Sequence, residues 1–126
     1  MTEPALLSLA QIVLPKEVLE SFDITKVESS ETEILISLDE KMHDALRTDI
    51  HFESKGFIPP VSITDFPIRD HKVILRLRRR KWIDLRTGKS FILPLKIVAE
   101  GTRYSKEFAA FLKETYGHIP SDLPYA

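Results

Sequence analysis

Between Val73 and Trp82 the chain alternates apolar and cationic side chains with the period of a β-strand. Successive strand residues point to opposite faces. Val73, Leu75 and Leu77 therefore fall on one face, while Ile74, Arg76, Arg78, Arg80 and Trp82 fall on the other. A strand with so basic a face must find either solvent, a polyanion or internal carboxylates. Twelve of the eighteen Lys and Arg residues lie between Arg69 and Lys106, against only three acids, Asp70, Asp84 and Glu100. Residues 1–68 have the opposite balance, five bases against thirteen acids, so the overall net charge of −1 conceals a strong internal asymmetry. A local positive field of this kind draws polyanions.

The remaining elements fit one small α+β domain spanning residues 1–117, with 118–126 as a tail or the start of a linker. Pro4 to Val13 and Lys16 to Phe22 have the composition of short N-terminal helices. Ile24 to Glu28 and Thr32 to Leu38 flank the turn-prone Ser29-Ser30, which predicts a hairpin. His51 to Ser54 and Val61 to Phe66 read as brief strands, the latter halted or placed at an edge by Pro67. Residues 39–50 are polar and carry no clear pattern. Arg86-Thr87-Gly88-Lys89 is a turn, with a return strand from Ser90 to Leu93. Near the C-terminus, Tyr104, Phe108, Phe111 and Leu112 share one face of an amphipathic helix that Thr102 or Ser105 can cap and Gly117 can stop. The expectation is a small antiparallel sheet of about five or six strands, with helices at both ends. Val73, Leu75, Leu77, Phe91, Phe108, Phe111 and Leu112 are its expected core.

Composition excludes several chemistries. The absence of cysteine removes disulfides, thiolate metal sites and cysteine nucleophiles, and suits a cytoplasmic setting. No apolar run reaches a membrane span, and Glu3 stands where a secretory signal would be basic. His43, His51, His71 and His118 have no metal-ligand spacing, and the four glycines form no phosphate loop. No metal or cofactor is expected.

The basic strand is the candidate site. Arg76, Arg78 and Arg80 would stand about 7 Å apart on one strand face, and a guanidinium fork donates two bonds to phosphate at once. Lys81, Lys89 and Arg103 would assist, Arg69 and Lys72 would extend the track, and Trp82 would stack or wedge. The competing reading of the same run is an edge strand guarded by charge, or a face neutralised by the acidic N-terminal half.

The run from Asp65 through Trp82 (DFPIRDHKVILRLRRRKW) resembles the N-terminal region of ISL-type insertion-sequence transposases, particularly the Aon subgroup. The similarity continues through Thr87-Gly88-Lys89-Ser90-Phe91 and the stretch from Gly101 to Lys113, and includes Lys55-Gly56-Phe57 and Leu14 to Leu19. It implies a non-catalytic module that recognises terminal inverted repeats in double-stranded DNA, with catalysis in a separate or downstream transposase subunit. In the broader group a zinc ribbon occupies this region, and its Cys-x-x-Cys would align with Asp84 and Thr87. Neither residue is a thiolate, so a hairpin here must hold itself by hydrophobic packing.

Two other functions compete with this one. The first is an assembly domain whose acidic half binds a basic partner, or its own basic half in a homodimer. The second is a nuclease using carboxylates at Asp39, Glu40 and Asp44.

Overall fold

The computed structural model describes residues 4–94 and 105–116. Helix α1 (Pro4–Val13) ends where Pro15 cannot continue it, and α2 (Lys16–Ser21) restarts at once. The Pro15 carbonyl accepts from the amides of Val18 and Leu19 and opens that second helix. Strands β1 (Phe22–Ser29) and β2 (Glu33–Glu40) form the expected hairpin. Its turn is closed by Ser30, whose Oγ accepts from the Glu33 amide at 3.1 Å and the Thr32 amide at 3.3 Å.

A single helical turn, α3 (Asp44–Arg47), fills the stretch the sequence pattern left open. There follow β3 (Phe52–Phe57), β4 (Val61–Ile68), β5 (His71–Arg78), β6 (Arg80–Asp84) and β7 (Lys89–Phe91), and helix α4 (Lys106–Tyr116). The fold class is α+β, but the strands form two sheets rather than one. Sheet A has the order β1-β2-β5-β4, and sheet B the order β3-β6-β7. All pairings are antiparallel except β2 with β5, which run parallel.

The parallel pair gives sheet A its core. Ile36 and Leu38 of β2 align with Leu75 and Leu77 of β5 on the inner face. Helices α1 and α2 and the link between them cover that face with Ala10, Val18 and Leu14, and Phe22, Val27, Ile63 and Val73 complete the cluster. Leu38, Leu75 and Leu77 are fully buried. Each such side chain contributes about 1.5–3 kcal/mol relative to exposure, so Leu75→Ala alone removes a large share of a small domain's margin. Pro67 sits in β4, an edge strand, where its missing amide costs no ladder bond, and pairing is irregular between Asp65 and Ile68.

The single strand expected from Val73 to Trp82 is two strands. Burial alternates from Val73 through Arg79 and then slips phase, so that Trp82 is buried and Lys81 exposed. The chain leaves sheet A at Arg79 and enters sheet B at Arg80. Two core expectations are corrected as well. Phe91 is only half-buried. Phe111 is 46% exposed, because α4 docks through Phe108, Ala109 and Leu112 and leaves Phe111 at the rim against Phe66, 5.4 Å between ring centres. Tyr104, Gly117, and the tail at 118–126 lie outside the described residues.

Candidate nucleic-acid interface

The Arg run does not form one cationic platform. At its centre Arg79 is buried at the junction of the two sheets, and Glu40 at the end of β2 is buried beside it. Arg79 Nε donates to Glu40 Oε1 at 3.2 Å, and its Nη2 donates to Glu40 Oε2 at 3.4 Å and to the Leu93 carbonyl. The Arg80 amide donates to the same Glu40 carboxylate at 2.8 Å, and Arg80 Nε donates to the Glu40 carbonyl at 2.7 Å. Glu40 thus satisfies both residues that carry the chain between sheets. A buried Arg survives only with such partners.

Arg78 is held from the adjacent strand. It lies opposite Asp39 in the β2–β5 register, and its Nε and Nη2 donate to the two carboxylate oxygens at 2.6 Å each. Those hydrogen bonds hold the Asp39 carboxyl below its ordinary pKa, and the charges of Arg78 and Arg80 act in the same direction. The Arg78 guanidinium is correspondingly raised by its bonds to Asp39. Arg78 and Arg80 both stack on Phe57, with guanidinium carbons 4.1 and 4.6 Å from the ring centre.

Trp82 is therefore not the aromatic partner of these cations. It is 1% exposed and lies between Ser54 and Phe91 in sheet B. The expectation of a stacking or wedging Trp82 is overturned by burial. Phe52 of β3 meets Phe91 of β7 edge-on at 5.8 Å, an aromatic contact that spans β6 and ties β3 to the β6–β7 hairpin. Its turn is closed by Asp84, whose carbonyl accepts from the Gly88 amide at 2.7 Å, with Gly88 at a φ of 74°. The Asp84 carboxylate accepts from Arg86 Nε at 3.1 Å and from the Arg86 amide at 3.0 Å. These two interactions lower its pKa, the side-chain bond most.

The cations left to solvent lie elsewhere. Because Val73, Leu75 and Leu77 point inward, Lys72, Ile74, Arg76 and Arg78 line the outer face of β5. Lys72 is half-buried and opposite Glu33, with no ion pair to any of the described residues. Arg76 is exposed and opposite Ser37 on one side and Ser62 on the other. Arg69 is at the tip of the two-residue β4–β5 turn with a left-handed φ of 60°, a conformation that costs a non-glycine residue about 1–3 kcal/mol. Lys81 and Lys89 are exposed on sheet B rather than on the β5 stripe, and Arg103 lies outside the described residues.

Sequence reasoning missed Asp39, Glu40 and Phe57 as the partners of the Arg run. Asp39 and Glu40 are adjacent strand residues that point to opposite faces, so they do not converge as a carboxylate pair. No group of three or more His, Asp or Glu residues able to hold a metal occurs among the described residues. Nor is any described helix long and apolar enough to cross a membrane. No family model, curated protein or solved structure matches this chain.

Proposed function

We propose that this chain is a non-catalytic DNA-binding module that grips duplex DNA by its phosphates, through the outer face of sheet A and the β4–β5 turn. The observation that carries the reading is the stripe of Lys72, Arg76 and Arg78 along one face of β5, with Arg69 at its tip. Lys72 and Arg76 stand about 13 Å apart and Arg76 and Arg78 about 7 Å, steps that suit successive backbone phosphates. The outer residues of this stripe and of its neighbours on β2, Leu35, Ser37 and Asp39, include no aromatic ring. Phe57, beside Arg78, is covered by the guanidinium groups of Arg78 and Arg80, and single-strand binders need open rings to stack bases, so the face suits a duplex backbone better than unpaired bases. The resemblance to transposase N-terminal regions supports element ends as the target and a catalytic subunit as the partner.

The stripe is smaller than the sequence run suggested, because Arg79 and Arg80 are committed to Glu40. The test is titration of a labelled duplex bearing the neighbouring inverted repeats, against a scrambled duplex, at several salt concentrations. About three neutralised phosphates give a log–log slope of about −3. A flat salt dependence, or no binding at low salt, sinks the reading.

A second reading is supported by a different place in the fold. Glu17, Glu20, Glu40 and Asp44 line an open bay of about 690 Å³ beside α2, together with Lys41, His43 and Leu93. In that reading the acidic half assembles with a basic partner or with a second copy. Mass in solution measured across salt separates the two, since a charge-paired assembly dissociates as salt rises.

A further inference from the structure

The three cations on the outer face of β5 have different neighbours. Lys72 is opposite Glu33, and Arg78 donates two hydrogen bonds to Asp39. Arg76 alone is flanked by hydroxyls on both adjoining strands, Ser37 of β2 and Ser62 of β4. Directly opposite residues of the antiparallel β4–β5 pair bring their Cβ atoms within about 4.5–5.5 Å on the same face, and the parallel β2 and β5 lie about 4.7–4.9 Å apart. The two serines thus stand within reach of whatever the guanidinium holds. Arg76, Arg78, Ser37, Thr25, Asp39 and Pro60 border an open bay of about 240 Å³.

The donors and acceptors of this bay are unequal. Both Asp39 oxygens are taken by Arg78. The Thr25 hydroxyl donates to the Ser37 carbonyl at 3.2 Å. Among the described residues Arg76 has no carboxylate partner of its own; the Ser37 hydroxyl lies in the bay, and Ser62 stands beside Arg76 on the β4 side, outside the bay's lining, each able to donate. A tetrahedral oxyanion is the ligand that such a set accommodates: two oxygens on the fork and one on a serine hydroxyl.

We propose that Arg76, Ser37 and Ser62 form a seat for one phosphate oxyanion. It rests on the duplex-binding reading for its natural ligand, a backbone phosphodiester. The seat fixes the register of the duplex on the sheet without reading bases.

The experiment titrates the intact chain and its variants with duplex DNA across salt, and in a second arm with inorganic phosphate followed by amide chemical shifts. Arg76→Ala weakens duplex binding about tenfold and makes the salt slope shallower by about one. Arg76→Lys keeps the slope but loses affinity, because the charge remains and the fork does not. The Ser37→Ala, Ser62→Ala double variant weakens binding about fivefold at unchanged slope. Lys16→Ala, a surface charge loss on α2, serves as the control. If Arg76→Ala binds duplex with the wild-type affinity and slope, the seat is overturned while the duplex reading stands. If the wild type binds no duplex, that reading falls, and the phosphate arm decides the seat. Saturable shifts at Ser37, Ser62 and Arg76 that vanish in Arg76→Ala uphold it, and their absence overturns it.

Discussion

Arg78 and Asp39 face each other across the parallel β2–β5 pair and are joined by two 2.6 Å hydrogen bonds. The arrangement places a carboxylate within the basic stripe, as a counter-ion that any incoming phosphate must displace or share. Asp39→Asn removes the negative charge and leaves Arg78 on the surface. Duplex affinity in the variant is expected to rise about fivefold, with a salt slope steeper by about one. Unchanged affinity and slope in a folded variant would show that Arg78 faces no phosphate.

The same pair makes stability depend on pH. The Asp39 carboxyl is lowered in the folded state by its bonds to Arg78, and Asp84 is lowered by Arg86. A carboxylate with a depressed folded pKa contributes stability above its unfolded value, near about 3.9, and loses it as pH falls through the folded value. The urea midpoint of wild type should therefore exceed that of Asp39→Asn at neutral pH. The gap should narrow as pH drops below about 4 and close once pH lies below the folded-state pKa. A gap that stays constant down to that acidity would separate the effect from Asp39 ionisation.

Glu40 is 7% exposed and Arg79 5%, and their pairing joins the two sheets. Glu40→Ala leaves a buried guanidinium without its counter-charge and the Arg80 amide without its acceptor. A loss of about 3–5 kcal/mol is expected in urea unfolding. The double variant Glu40→Leu, Arg79→Leu should be more stable than either single variant, since no buried charge remains in it. Purely additive losses would mean that the pair does not act as a unit.

The halves of this arrangement differ in how far the sequence disclosed them. The alternation Val73, Leu75, Leu77 identified β5 and its core face, because a strand buried on one side leaves a period of two. The same alternation misplaced Trp82, because the phase slips where the chain changes sheets, and nothing in the local sequence marks that step. Four consecutive cations from Arg78 to Lys81 and their neighbour Arg76 look alike in a one-dimensional reading. Which of them is buried is decided by Glu40, some forty positions earlier. That partnership depends on β2 running parallel to β5, a long-range pairing that local propensity does not encode. The competing sequence reading, neutralisation by the acidic half, describes Arg78, Arg79 and Arg80. Arg76 escapes it because Ser37 stands where a carboxylate would otherwise be.

Helix α4 is tied to sheet A by one serine. Ser105 Oγ donates to Asp65 Oδ1 at 2.6 Å and accepts from the Phe108 amide at 3.2 Å, so it caps the helix and engages a buried carboxylate together. Its own amide donates to the Thr64 carbonyl at 2.8 Å, which extends the β4 edge. Ser105→Ala removes the cap, worth about 1 kcal/mol, and takes a hydrogen bond from buried Asp65, which costs a further 1–3 kcal/mol or so. Urea unfolding should register a combined loss of about 2–4 kcal/mol, and amide exchange across Phe108 to Leu112 should accelerate. Ser105→Thr retains the hydroxyl and should recover most of the loss. Duplex affinity should be unaltered in both, because Asp65 faces the inner side of sheet A opposite Val73, away from Arg76. An alanine variant with wild-type stability would remove Ser105 as the tether and leave the docking of α4 to the packing of Phe108, Ala109 and Leu112 and to the contacts of Phe108 and Phe111 with Phe66.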